Sequence, residues 1–162
     1  LLGVAISAAR VVVSAVRRSY IGSFLDEVLD RNRQPEWFDV QPIPLLDKEK
    51  AYRLVQMIPY MTDLSNWGKP EYFAKASETV QRGAADCDDK AILLASFWYG
   101  MGLCPVVVVA DTDQGGHAFV EMDGHVYDPT WDVWESPLGE YYEKHGVGPS
   151  FWFTDKFYGG FD

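Results

Sequence analysis

Residues 83–91 read GAADCDDKA, which sets Cys87 among Asp86, Asp88 and Asp89 at the apparent start of a helix. Residues 117–131 read HAFVEMDGHVYDPTW, which puts His117 and Asp128 on two short runs joined by Asp123-Gly124. These residue types suit one chemistry. A thiolate attacks a carbonyl carbon, an imidazole takes and returns the proton, and a carboxylate fixes the imidazole tautomer. A helix N-terminus helps hold a thiolate. The three aspartates oppose that by raising the thiol pKa, so pairing with His117 has to supply the rest.

The elements that would position these groups can be read locally. Asp86 is a plausible N-cap for the Cys87 helix, and Asp89 at the third helical position complements the dipole. The stretch KAILLASFWYGMG ends in Gly100 and Gly102, as helix ends often do. Cys87, Ala91, Leu94, Ala95 and Trp98 fall on one helix face, so the thiol is expected on the side that packs inward. PVVVVA, residues 105–110, reads as a buried strand. Asp123-Gly124 between alternating runs is a hairpin signal. A two-residue loop pairs Met122 with His125 and sets Val120 opposite Tyr127, Phe119 opposite Asp128 and His117 opposite Thr130. Side chains alternate, so His117, Phe119, Glu121, Val126, Asp128 and Thr130 share a face. His117 and Asp128 are then diagonal neighbours, roughly 7–8 Å apart at the backbone and within side-chain reach. Packing the cysteine helix on that face assembles Cys87, His117 and Asp128.

Three blocks, ETVQRGAADCDDKAILLASFWYGMGL, GGHAFVEM and YDPTW, resemble the catalytic blocks of the transglutaminase-like superfamily, and in particular its bacterial cysteine-peptidase-like branch. The resemblance covers about residues 47–131. It implies an α+β fold with a papain-like core, in which the cysteine-bearing helix packs on an antiparallel β-sheet, here with extra N-terminal helices. It also implies Cys87 as nucleophile, His117 as general base and acid, and Asp128 as the orienting residue. Ala85 departs from the pattern, which has glycine before the Asp-Cys pair. For the oxyanion, the Cys87 backbone N–H is one natural donor. Gln81, the Trp67 indole and Tyr72 are candidates for a second. The implied activity is acyl transfer on an amide, with peptide or isopeptide hydrolysis first and glutamine crosslinking or deamidation beside it. A structural or binding module within an assembly is the reading from a different class, because fold and motif do not settle function.

The remaining sequence bounds these readings. The chain has 162 residues, 48% of them apolar, enough for one packed domain. Its net charge of −10 argues against nucleic acid as a partner; a protein or peptide substrate is expected. Cys87 and Cys104 make neither a disulfide framework nor a zinc site, and Cys104 before Pro105 reads as core. Asp111 and Asp113, with Asp86, Asp88 and Asp89, could cluster around a hard cation, but DTDQGG lacks the length and further acids of a calcium loop, so these read as solvated loop acids and no metal or cofactor is expected. His125 reads as surface and His145 as a helix end.

Three segments follow. Residues 1–46 form a helical docking segment and linker, with one or two helices over 4–32 and a proline-rich linker over 33–44. The opening run is broken by Arg10 and closed by Arg17 and Arg18, with no basic region before it, so neither a complete signal peptide nor a membrane span is expected. The sequence opens on Leu1 rather than methionine, which leaves room for a segment before it. Residues 47–131 form the catalytic core. Within it, Asp47 is an N-cap, Ala51, Leu54 and Val55 form a stripe, Pro59 ends the helix, Pro70 opens a short helix, and a further turn starts near Ser77 and breaks at Gly83. Residues 132–162 are rich in aromatics, among them Trp134, Tyr141, Tyr142, Phe151, Trp152, Phe153, Phe157, Tyr158 and Phe161, and are expected to pack over the sheet or, like the N-terminal helix, on a partner.

Overall fold

The computed structural model describes residues 36–40, 46–148 and 150–161. The helices expected over 4–32, and the linker residues 33–35 and 41–44, lie outside the described residues.

Helix α1, Lys48–Gln56, starts where the Asp47 carboxylate accepts the Lys50 N–H at 2.8 Å and stops before Pro59. It buries Ala51, Tyr52 and Val55, whereas Leu54 is 41% exposed. The expected stripe is therefore off by part of a turn. Tyr52 takes the inward place because its hydroxyl has a partner there, the Asp128 carbonyl at 3.1 Å. Helix α2, Asp63–Trp67, closes on Gly68 at φ 69°. Pro70 comes after this helix instead of opening one, because Gly68 in the left-handed region turns the chain out first. Helix α3, Ala76–Arg82, ends on Gly83 at φ 66°, as its sequence suggests.

Helix α4, Cys87–Gly100, is buried on every side from Asp88 to Trp98. It is a central helix between layers, not a surface helix with one inward face. It packs on the sheet through β1 and β2 on one side and on α1 and α3 on the other. Past its polar first turn the run from Ala91 to Trp98 is apolar but for Ser96, as such a position demands.

The sheet strands are β1 (Val106–Thr112), β2 (Gly115–Met122), β3 (His125–Asp128) and β4 (Val133–Pro137), followed by α5 (Leu138–His145) and then β5 (Ser150–Phe153) and β6 (Tyr158–Phe161). Their spatial order is β4-β3-β2-β1-β5-β6, with every neighbouring pair antiparallel. The β2–β3 hairpin has Met122 opposite His125 and Val120 opposite Tyr127, the register read from Asp123-Gly124. Both loop residues have positive φ, 54° and 77°, as a type I′ turn needs. The ladder stops at Val120–Tyr127, and β3 shifts register against β4 between Val126 and Asp128. Phe119–Asp128 and His117–Thr130 are therefore not ladder pairs; the irregularity re-aims the end of β3.

The aromatic C-terminal segment packs on the sheet through Tyr141 and Tyr142 of α5, which meet Phe119. It also supplies β4, β5 and β6 within it, and β5 pairs directly with β1. Phe153 is fully buried and meets Trp37 edge-on, Phe38 tilted and Phe73 stacked. Trp37, in the expected linker, is itself buried. Cys104 is exposed, not core, and both cysteines are free thiols. Among the described residues no helix is long and apolar enough to cross a membrane.

Candidate active site

The sheet brings His117 and Asp128 together. His117 Nε2 lies 2.7 Å from Asp128 Oδ2, and both side chains are buried. The far end of β3 holds the carboxylate. Asp128 Oδ1 accepts the Thr130 and Trp131 N–H groups at 2.9 and 3.1 Å, and Oδ2 also accepts the Tyr141 hydroxyl at 2.8 Å. An ionised carboxylate only accepts, so it selects the Nε2–H tautomer and leaves a lone pair on Nδ1 of His117. Trp131 lies flat on the His117 ring, with centroids 3.7 Å apart and planes 6° from parallel. His145, at the end of α5, stacks on Trp131 at 4.8 Å and against Tyr141 at 4.5 Å. Burial lowers its pKa, with Lys144 and His117 adding to that and Asp128 opposing it. Sequence reading missed Trp131, Tyr141 and His145 as site residues. Trp131 had a local signal, its place three residues past Asp128; Tyr141 and His145 arrive through α5 and had none.

Cys87 is the first residue of α4 and is half-buried. Burial, followed by the Asp86 charge, pushes the thiol up to about 12, with the nearby backbone of Ala118 on β2 opposing that rise. The helix N-terminus alone does not poise a thiolate here.

Beside the thiol lies a nest of carboxyl groups. Asp86, Asp88 and Asp89 are buried, as is Asp63 from α2. They are not the solvated loop acids that the sequence suggests. Asp86 occupies the N-cap position without a side-chain capping bond. Asp89 is held by the Ala74 N–H at 2.9 Å, and Asp63 Oδ2 by the Tyr72 N–H. Asp63 Oδ1, Asp86 Oδ1 and Asp88 Oδ2 are buried without a hydrogen bond. Three groupings, Asp86–Cys87–Asp88, Asp63–Asp86–Asp89 and Asp63–Glu71–Asp88, each bring one ligand atom per residue within 4.8 Å of the others. Burial, then the Asp86 charge, raises both Asp63 and Asp89 to about 7; burial also lifts Asp88 well above the usual range. Asp111 and Asp113 are not part of this cluster. Asp111 ends near the β1–β2 turn, and the Asp113 N–H donates to the His145 carbonyl at 3.0 Å.

The expected second oxyanion donors are engaged elsewhere or turned outward. The Trp67 indole N–H points to Asp89 Oδ2 at 3.5 Å, and the Tyr72 hydroxyl donates to Glu78 at 3.1 Å. Gln81 is exposed on α3. Ala85 is fully buried with an ordinary negative φ, so alanine fits where glycine was expected.

Among solved structures, this chain is similar to calcium-bound LapG of Legionella pneumophila, with a TM-score of 0.58 at 14% identity over 86% of this chain and 85% of that one. The likeness is one of fold, an α+β arrangement in which the helix carrying Cys87 packs on an antiparallel sheet carrying His117 and Asp128. A candidate cysteine protease from Cytophaga hutchinsonii overlaps more loosely, with a TM-score of 0.38 at 14% identity over 78% of this chain and 45% of that one. No protein-family model and no curated protein matches the sequence.

Proposed function

We propose that this protein is a transglutaminase-like cysteine peptidase that cleaves a peptide or isopeptide bond through Cys87, His117 and Asp128. One observation carries the reading: the buried 2.7 Å bond between His117 and Asp128 lies on the sheet against which the helix opened by Cys87 packs, chiefly through the His117 strand. His117 Nδ1 takes the thiol proton as sulfur attacks the carbonyl carbon, then returns it to the leaving nitrogen. Water, activated by the same imidazole, resolves the acyl-enzyme. Asp128, fixed by three further donors, keeps the imidazole oriented and stabilises its charged form.

The acidic nest fits a hard divalent cation such as calcium. Its donors are all carboxylate oxygens, three of them buried and unpaired. The similarity to a calcium-bound LapG supports that choice of ion. Asp63, Asp86, Asp88 and Asp89 would hold it. When bound it would neutralise the Asp86 charge that keeps the Cys87 thiol high.

The test is peptide cleavage followed by mass spectrometry, using a peptide library with calcium or with chelator. The expected result is cleavage by the wild type with calcium and none by Cys87→Ala or His117→Ala. Turnover that survives Cys87→Ala would sink the reading, and a wild type with no Cys87-dependent acylation would leave the fold as a binding module.

A further inference from the structure

Attack at a carbonyl moves an electron pair onto oxygen, and that oxygen needs two donors placed beside the sulfur. The Cys87 backbone N–H, with no partner within its own helix, is the first. Trp67 and Tyr72 have their donors on Asp89 and Glu78. The segment bonded to the chain just before the thiol is Pro59-Tyr60-Met61. The Ala85 N–H donates to the Pro59 carbonyl at 3.1 Å, and the Met61 N–H donates to the Ala85 carbonyl at 2.9 Å. These bonds form a parallel bridge that sets Tyr60 against Ala85, two residues before Cys87. Tyr60 is 57% exposed.

We propose that Tyr60 is a catalytic residue, whose hydroxyl donates the second hydrogen bond to the oxyanion formed on the carbonyl attacked by Cys87. This rests on the acyl-transfer reading above. The phenol is suited to donate without losing its proton. Partial burial, and then the charges of Cys87, Asp86, Asp88 and Asp63, push it up to about 12. In the step, the sulfur–carbon bond forms as the carbonyl π pair moves to oxygen. Tyr60 and the Cys87 N–H hold that oxygen. Its pair then returns, the carbon–nitrogen bond breaks, and the His117 proton leaves with the amine. Tyr60 gains and loses no atom. Its ring exposure in the free protein is what a group facing incoming substrate requires.

The experiment compares two reactions at Cys87, read residue by residue by mass spectrometry, with exposed Cys104 as the internal reference. p-Nitrophenyl acetate acylates through a tetrahedral oxyanion, whereas iodoacetamide alkylates without one. Tyr60→Phe keeps the ring and the fold. Loss of one oxyanion donor costs about 100-fold or more, so Cys87 acylation should fall by about that factor while its alkylation rate is unchanged. Unchanged acylation would overturn the inference. So would a parallel fall in both reactions, which would place Tyr60 in thiol activation. If acylation of the wild type does not depend on His117, the acyl-transfer reading fails and the inference fails with it.

Discussion

At the scale of single residues, the proposed catalytic geometry is held by bonds to Asp128. Its carboxylate accepts from His117, Tyr141, Thr130 and Trp131. Removing one buried bond to a charged group costs about 1.5–3 kcal/mol, and the four bonds differ in what they protect. Tyr141→Phe leaves the His117 contact in place and should lower thermal stability while reducing kcat only modestly. Asp128→Asn should do the reverse to the site: it removes the acceptor that selects the Nε2–H tautomer, so kcat should fall by orders of magnitude with KM little changed. Steady-state kinetics on the two variants checks the contrast. The His117–Asp128 pair was legible in the sequence because a two-residue Asp-Gly turn fixes register, and register fixes which side chains share a face. Tyr141 was not, because it reaches Asp128 from a helix whose docking is a tertiary fact.

At the scale of elements, positive-φ glycines end α2, α3 and α5. They are not equivalent. A Cβ on Gly83 would meet nothing within 4 Å, but one on Gly146 would lie 2.5–2.6 Å from the Asp113 carboxyl group. Gly83→Ala should therefore cost only the left-handed strain, about 1–2 kcal/mol. Gly146→Ala should cost more, because the Asp113 carboxyl group must also swing away. Denaturant midpoints of the two variants test the order. Helix boundaries at Asp47, Gly83 and Cys87 were readable because capping and chain reversal are local. The Leu54 stripe and the solvated reading of Asp86, Asp88 and Asp89 failed for one reason. What lies opposite a helix decides which of its faces is inside, and neither Tyr52's partner on β3 nor Asp63's approach from α2 leaves a mark in the helix's own sequence.

At the scale of the whole molecule, the acidic nest ties stability to pH. Asp63 and Asp89 titrate near 7 in the folded protein, and Asp88 above its usual range, whereas the unfolded chain gives up these protons near about 4. Between those values the folded state holds more protons, so the contribution of these groups to stability falls as pH rises from about 4 through about 7. Melting temperatures in chelator should show this decline, and calcium should raise the melting temperature more at pH 7.5 than at pH 5, where protons compete for the same oxygens. The β4-β3-β2-β1-β5-β6 order also sets a clock. β1, β2 and β3 meet through tight turns, but β1 gains its other neighbour only when β5 returns across β2, β3, β4 and α5. Distant pairing of this kind closes slowly. During refolding, amides of the β2–β3 hairpin should gain protection from exchange before those of β5, so the histidine–aspartate pair would exist in a half-built sheet before the molecule has closed around it.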